Sequence, residues 1–143
     1  GEVRSALALD MPHAMNSGRE GSLTTIHASS TRAALARLET MILMAGTNLP
    51  NRAMREQISS ALDLIIQISR LSDGTRRITS IVEVTGMEEA VISVQEIYRF
   101  RRRGIAADGT VLGEFEPTGI RPAFTERLRL AGVEFGPTIF SDH

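Results

Sequence analysis

Few side chains in this sequence are equipped for acid–base or metal chemistry. His13, His27 and His143 are the three histidines, the residue type whose charge ordinarily changes near neutral pH. Their spacing matches no metal-ligand pattern, which argues against a zinc site. Cysteine is absent, so disulfides and Cys-rich zinc sites are excluded, and a reducing compartment fits. A basic run, Arg99, Arg101, Arg102 and Arg103 interleaved with Tyr98 and Phe100, invites a nucleic-acid reading. Against it stands a formal net charge of -1, which gives no global attraction for a polyanion. Strand alternation would place Arg99 and Arg101 together on one face, so a solvated edge or a subunit-contact rim is the better expectation. No Gly-rich loop with Lys and Ser/Thr occurs between Gly1 and His143. Phosphate binding of that kind needs such a loop, because its N–H groups wrap the phosphates while the ammonium supplies charge.

The elements that must position these groups follow from periodicity and punctuation. Ala6 to Met15 favours a helix, kinked or restarted at Asp10 by Pro12. Gly18 and Gly21 bracket a loop. Leu23, Thr24, Thr25 and Ile26 have the β-branched bias of a short buried strand, with His27 at its C-terminal end; a lone His there ordinarily reads as a hydrogen-bonded structural residue. Ser29 or Ser30 can cap the next helix, whose Leu35, Leu38, Met41, Ile42 and Ala45 share one face before Gly46 ends it. The Met41 and Met44 face reads as core rather than as a partner groove. Pro50 suits a second helix start, with Met54, Ile58, Ala61 and Leu62 as its apolar stripe and Arg52, Arg55 and Glu56 outward.

Beyond Asp63 the period changes to that of strands. Leu64 to Leu71 and Arg77 to Thr85 are joined by Ser72-Asp73-Gly74-Thr75, a hairpin connection. Val91 to Phe100 follows a turn around Gly86. The tail holds Asp108-Gly109, a Pro117-Thr118-Gly119 loop and a short last helix from about Pro122 to Ala131. This order predicts α/β structure passing into an antiparallel meander. The length of 143 residues with 42% hydrophobic residues suits one domain. No apolar stretch approaches the roughly 20 residues needed to cross a bilayer, and the start at Gly1 carries no export signal, so the expectation is cytoplasmic.

Several segments, in order, resemble the secretion-superfamily traffic ATPases, in particular the Tad/Flp pilus-assembly (CpaF/TadA-like) branch. Gly1-Glu2-Val3-Arg4 resembles the Walker B segment, with Ala8-Leu9-Asp10-Met11 and Ala14-Met15-Asn16 like the helix after it. Gly21-Ser22-Leu23-Thr24-Thr25-Ile26-His27-Ala28 resembles the histidine box, and Arg37-Leu38-Glu39-Thr40-Met41 the following helix. Further matches are Arg55-Glu56-Gln57-Ile58, Asp73-Gly74-Thr75-Arg76-Arg77, Glu83-Val84-Thr85-Gly86-Met87 and Pro117-Thr118-Gly119-Ile120-Arg121-Pro122. Leu7 and Pro12 depart from the family pattern. The tail from Glu83 to Pro122 favours the pilus branch over conjugative DNA-transfer relatives.

The resemblance implies the C-terminal portion of a RecA-like P-loop NTPase domain, with an antiparallel β meander and a short C-terminal helix. Residues 1–143 would form one truncated domain from the Walker B segment onward. It implies Glu2 as the carboxylate acting on the attacking water or, through water, on the metal. It implies His27 as the group facing the terminal phosphates, and Arg4 as a cofactor-binding residue holding the Walker B segment. ATP and Mg belong to the intact parent and are not expected on this chain alone, which would be inactive. Implied partners are a homo-hexamer and inner-membrane platform proteins, with no nucleic acid and no membrane span; the location would be peripheral to the inner membrane. A non-catalytic subunit-interaction module of the same machinery, or a conjugative DNA-transfer ATPase relative, is the alternative.

Overall fold

The computed structural model describes residues 23–46 and 48–142. The expected helix from Ala6 to Met15 with Pro12, the Gly18–Gly21 loop, and Glu2, Val3 and Arg4 lie outside them. Three helices and four strands occur among the described residues: α1 (Thr31–Met44), α2 (Asn51–Ala61), β1 (Leu64–Arg70), β2 (Arg76–Glu88), β3 (Val91–Ile105), β4 (Val111–Pro117) and α3 (Phe124–Leu130). The strands form one sheet in the order β1-β2-β3-β4, antiparallel in both the β1–β2 and β3–β4 pairs. The chain divides into two compact units. A helical unit runs to Asp63 and includes Val84–Val94, and a sheet unit holds Leu64–Glu83 and Gln95 onward.

In the helical unit α1 starts where the sequence places it. Ser30 is extended and its hydroxyl accepts from Ala33 N at 3.1 Å, satisfying one of the donors a helix start leaves open. Ala34, Leu35, Leu38, Met41 and Ile42 are buried, which is the 3–4 spacing of an inward stripe. Met44 is a correction: it is 72% exposed, because it falls off that stripe in the last turn. Helix α2 follows Pro50, whose fixed φ suits a helix entry, and its Met54 and Ile58 are 1% and 0% exposed. The expected buried strand at Leu23–Ile26 is also corrected. Only Thr25 is bridged, and Leu23 is 94% exposed.

The sheet unit is organised by two hairpin loops of the same type. In Ser72-Asp73-Gly74-Thr75, Leu71 N donates to Thr75 O and Gly74 N to Leu71 O. In Ala107-Asp108-Gly109-Thr110, Ala106 N donates to Thr110 O and Gly109 N to Ala106 O. Each Asp carboxylate accepts from the backbone N–H two residues on, at 2.9 Å for Asp73 and 3.0 Å for Asp108. The second loop introduces β4, which the sequence reading left as tail. On β4, Gly113 is required by contact: a Cβ there would lie 2.4 Å from the Phe100 ring and 2.6 Å from Arg101 O. The turn between β2 and β3 is not at Gly86, which stays within β2, but at Glu89-Ala90, where Glu89 has φ 57.

An aromatic cluster ties the tail to the sheet. Tyr98 stacks on Phe115 with centroids 5.1 Å apart, and Phe140 lies edge-on to Tyr98, Phe124 and Phe135. The Tyr98 hydroxyl also donates to Ile139 O. Among the described residues no helix is long and apolar enough to cross a membrane.

Candidate functional site

Of the residues that the resemblance singles out, His27 is the one the structure describes. It stands exposed on the segment between the bridged Thr25 and the Ser30 cap of α1. Extended backbone at Thr25 and a fixed helix start at Ser30 therefore confine His27 from both sides while leaving its ring reachable from solvent. Glu2 and Arg4 are outside the described residues, so the geometry tests neither their roles nor their distance to His27. Among the described residues there is no group of three or more His, Cys, Asp or Glu side chains placed to hold a metal ion.

Three charged residues to which the sequence reading gave no bracing role brace the elements. Arg32 of α1 donates to Ile92 O at 2.7 Å. Arg55 of α2, expected to point outward, is half-buried instead: its Nε donates to Glu39 Oε1 at 2.5 Å and its Nη1 to Ala90 O at 3.1 Å. Helix α1 thus holds the start of β3, and α2 holds the β2–β3 turn through the two-pronged guanidinium of Arg55, a use that lysine would not reproduce. Glu83 in the sheet unit is 4% exposed, yet every donor around it is neutral: Gln95 Nε2 at 2.7 Å, Ala123 N at 2.9 Å and Phe124 N at 2.9 Å. The last two are open donors at the start of α3, which a carboxylate satisfies by hydrogen bonding and by its charge. No local sequence signal marks these pairs, since their partners lie 12 to 60 residues away.

The arginine cluster is ion-paired in part where it stands, through Arg101 and Arg103. It lies on β3, which β4 covers, so the expectation of a sheet edge is corrected. Arg99 and Arg101 face Glu116 and Glu114 across the β3–β4 ladder. Arg101 Nε is 3.3 Å from Glu116 Oε1, and Arg103 Nη2 lies 3.6 Å from Glu114 and 3.7 Å from Glu116. These pairs are about half exposed, and such pairs contribute about 0–1 kcal/mol each. Their effect here is to occupy charge that a polyanion would otherwise meet.

Asp73 does more than shape its own loop. Its Oδ1 accepts from Thr75 Oγ1 at 2.6 Å, and its Oδ2 accepts from Val111 N at 2.8 Å, fastening the β1–β2 loop to the start of β4. The Thr75 hydroxyl first, then the Val111 and Thr75 N–H groups, hold its carboxyl down at about 2. In Asp108 the carboxyl is lowered by Thr110 of its own loop, N–H first and hydroxyl second.

Residues 1–108 match the family described as Type II/IV secretion system protein, and the chain belongs to that family. Among curated proteins it is similar to the conjugal transfer protein TrbB of Rhizobium radiobacter, 40% identical over 86 residues, covering 60% of this chain and 25% of that protein. A putative conjugal transfer protein of Mycobacterium tuberculosis is 30% identical over 113 residues, 78% of this chain and 31% of that protein. A probable conjugal transfer protein TrbB of Sinorhizobium fredii is 38% identical over 84 residues, 59% of this chain and 24% of that protein. The chain thus spans about a quarter to a third of the length of these relatives. The matched region takes in His27, Arg32, Arg55 and β1 to β3, and stops at the β3–β4 loop.

Proposed function

We propose that this chain supplies the post-Walker-B part of an ATP-hydrolysing motor that drives transport through a type II/IV secretion-type machine. The carrying observation is the family match over residues 1–108, which contains Glu2, Arg4 and His27, together with the exposed position of His27 next to the capped start of α1. In this reading His27 meets the terminal phosphates of ATP as a hydrogen-bond donor. Glu2 orients the attacking water or the water shell of Mg²⁺, and Arg4 holds that segment by pairing with a carboxylate. The residues present fit this task only in part. The sequence contains no lysine, all of its basic residues other than histidine being arginine, so the phosphate-cradling loop must be supplied by other polypeptide. The motor works as a hexameric ring against inner-membrane platform proteins, on the cytoplasmic side.

Two branches compete for the cargo. The Glu83 to Pro122 tail supports a Tad/Flp pilus-assembly motor, and the names of the conjugal transfer relatives support a conjugative one. Calorimetric titration of the 143-residue chain with MgATP is expected to give no micromolar binding, and specific micromolar binding would refute the division of labour. In a polypeptide that joins this chain to a phosphate-binding loop, His27→Ala is expected to lower kcat by about 10²-fold or more with little change in KM. Unchanged turnover in that variant would remove His27 from the reaction.

A further inference from the structure

Helix α1 is held in two different ways. Its buried stripe, from Ala34 to Ile42, sets how closely the helix packs, but apolar contact is non-directional and leaves room for the helix to shift along its axis. A hydrogen bond fixes direction as well. Arg32, the second residue of α1, supplies one: its Nη1 donates to Ile92 O at 2.7 Å, across 60 residues of sequence. The acceptor is firmly seated. The Ile92 side chain is 3% exposed, and beside it Thr85 Oγ1 lies 2.9 Å from Ser93 Oγ and 3.1 Å from Ser93 O, joining β2 to β3. Arg55 of α2 adds its bond to Ala90 O, two residues before Ile92. The first turn of α1 is therefore pinned to a stretch of β structure that is itself tied down on both sides.

The place of this pin along the chain gives it a consequence for His27. Arg32 stands two residues beyond the Ser30 cap and five beyond His27. Between the bridge at Thr25 and the start of α1 no residue belongs to a helix or a strand, so the placement of His27 is handed on from those two ends. We propose that Arg32 is a positioning residue for His27: its bond to Ile92 O fixes the start of α1 along the helix axis, and with it the point where the imidazole meets the terminal phosphates. This rests on the reading of His27 as the phosphate-facing group. Arg32 acts through the backbone around Ser30 and not on the phosphates. A misplacement of about 1 Å, even from a change far from the chemistry, can cost about 10²-fold in rate, so a pin of this kind bears on turnover as well as on stability.

The test uses a polypeptide that joins this chain to a phosphate-binding loop, with amide exchange of the 143-residue chain, free of nucleotide, as a second readout. Arg32→Met keeps an unbranched stem and removes the donor. It should lower kcat by about tenfold or more with little change in KM, and should speed exchange in a peptide covering residues 26–30. Arg32→Lys can still make one bond to Ile92 O and should recover part of both. Arg55→Met is the comparison for stability, because it removes the bonds to Glu39 and Ala90 O. It should lower the melting temperature at least as much as Arg32→Met while lowering kcat less. Arg52→Met, at an exposed pair with Glu56, should change neither kcat nor the exchange. Equal losses of kcat in Arg32→Met and Arg55→Met would reveal a general effect of stability and overturn the proposal. Unchanged exchange over residues 26–30 in Arg32→Met would overturn it too. Normal kcat in Arg32→Met beside a lowered kcat in His27→Ala refutes the positioning alone, whereas normal turnover in His27→Ala refutes the reading beneath it. Circular dichroism checks that Arg32→Met folds; if it does not, Arg32→Gln replaces it with the same expected direction.

Discussion

The helical unit and the sheet unit are packed from different materials. The six aromatic residues, Tyr98, Phe100, Phe115, Phe124, Phe135 and Phe140, all follow residue 97, and the six methionines all precede residue 88. The buried helix residues are accordingly Ala34, Leu35, Leu38, Met41, Ile42, Met54 and Ile58. Aliphatic and thioether side chains can shift rotamers and refill a gap, whereas the edge-on rings around Phe140 are fixed by direction as well as by volume. The segment bearing His27 is therefore attached to an adaptable core, and the sheet beyond it ends in a stiffer brace.

That contrast predicts two different responses to the loss of one buried side chain. Phe140→Ala removes the ring that meets Tyr98, Phe124 and Phe135, and should cost about 3–5 kcal/mol. Ile58→Ala, at a site with 0% exposure, should cost about 2–5 kcal/mol, toward the lower end if the methionine nearby refills the space. Denaturant melts followed separately by far-UV and near-UV circular dichroism read the two cores, since the aromatic signal belongs to the sheet unit. Loss of near-UV signal before helicity in Phe140→Ala would sharpen the distinction. Coincident transitions in both variants would show that the two cores melt as one, so that the division in composition has no energetic counterpart.

The units also differ in how they accommodate buried charge. The helical unit pairs Glu39 with Arg55, side chains 18% and 32% exposed. The sheet unit surrounds Glu83 with neutral donors instead. Glu83→Ala leaves Ala123 N and Phe124 N without their acceptor, at about 1–3 kcal/mol for each group that stays buried. Glu83→Gln retains one carbonyl oxygen, so it should recover part of the loss. Thermal melts of the two variants give the order, with wild type highest and alanine lowest. Equal melting of alanine and wild type would mean that water replaces the carboxylate freely and that α3 is not held by Glu83.

Local signals in the sequence accounted for the start and end of α1, the Pro50 entry to α2, the Asp73-Gly74 hairpin and the last helix. Each of those depends on residues within one turn of the boundary. What escaped depended on distance or on compensation. β4 was hidden because Gly113 and Pro117 interrupt its alternation, although Glu114, Phe115 and Glu116 retain the period of two; Gly113 is explained only by the Phe100 ring that it meets. The β2–β3 turn was assigned to Gly86 because Glu89, a residue type that seldom adopts positive φ, fills the left-handed position. For the site, Glu2, Arg4 and His27 came from the family resemblance, His27 by itself reading as a structural residue, while the bracing of β3 by Arg32 and of the β2–β3 turn by Arg55 has no local signature.

The smallest expected effect separates the twin Asp-Gly-Thr loops, which share their internal hydrogen bonds and differ in one long-range bond, from Val111 N to Asp73. A carboxyl held below its unfolded value of about 3.9 contributes stability above that pH and loses it as pH falls through the folded value. For Asp73 the loss therefore runs from roughly pH 4 down to about 2. Asp73→Asn should flatten the acid limb of the stability profile in that window by lowering stability above it, neutral pH included, because the ionised carboxylate's bonds to the Thr75 hydroxyl, Val111 N and Thr75 N are lost or weakened. Asp108→Asn should flatten it less, because Asp108 is held by Thr110 of its own loop. Melting temperatures at a series of pH values between about 2 and 6 resolve the comparison. If the two asparagine variants flatten the limb equally, the threonine bonds within each loop account for the whole effect, and Asp73 does not fasten β4. If only Asp73→Asn flattens it, the acid sensitivity of the sheet unit is governed by the contact between its two hairpins.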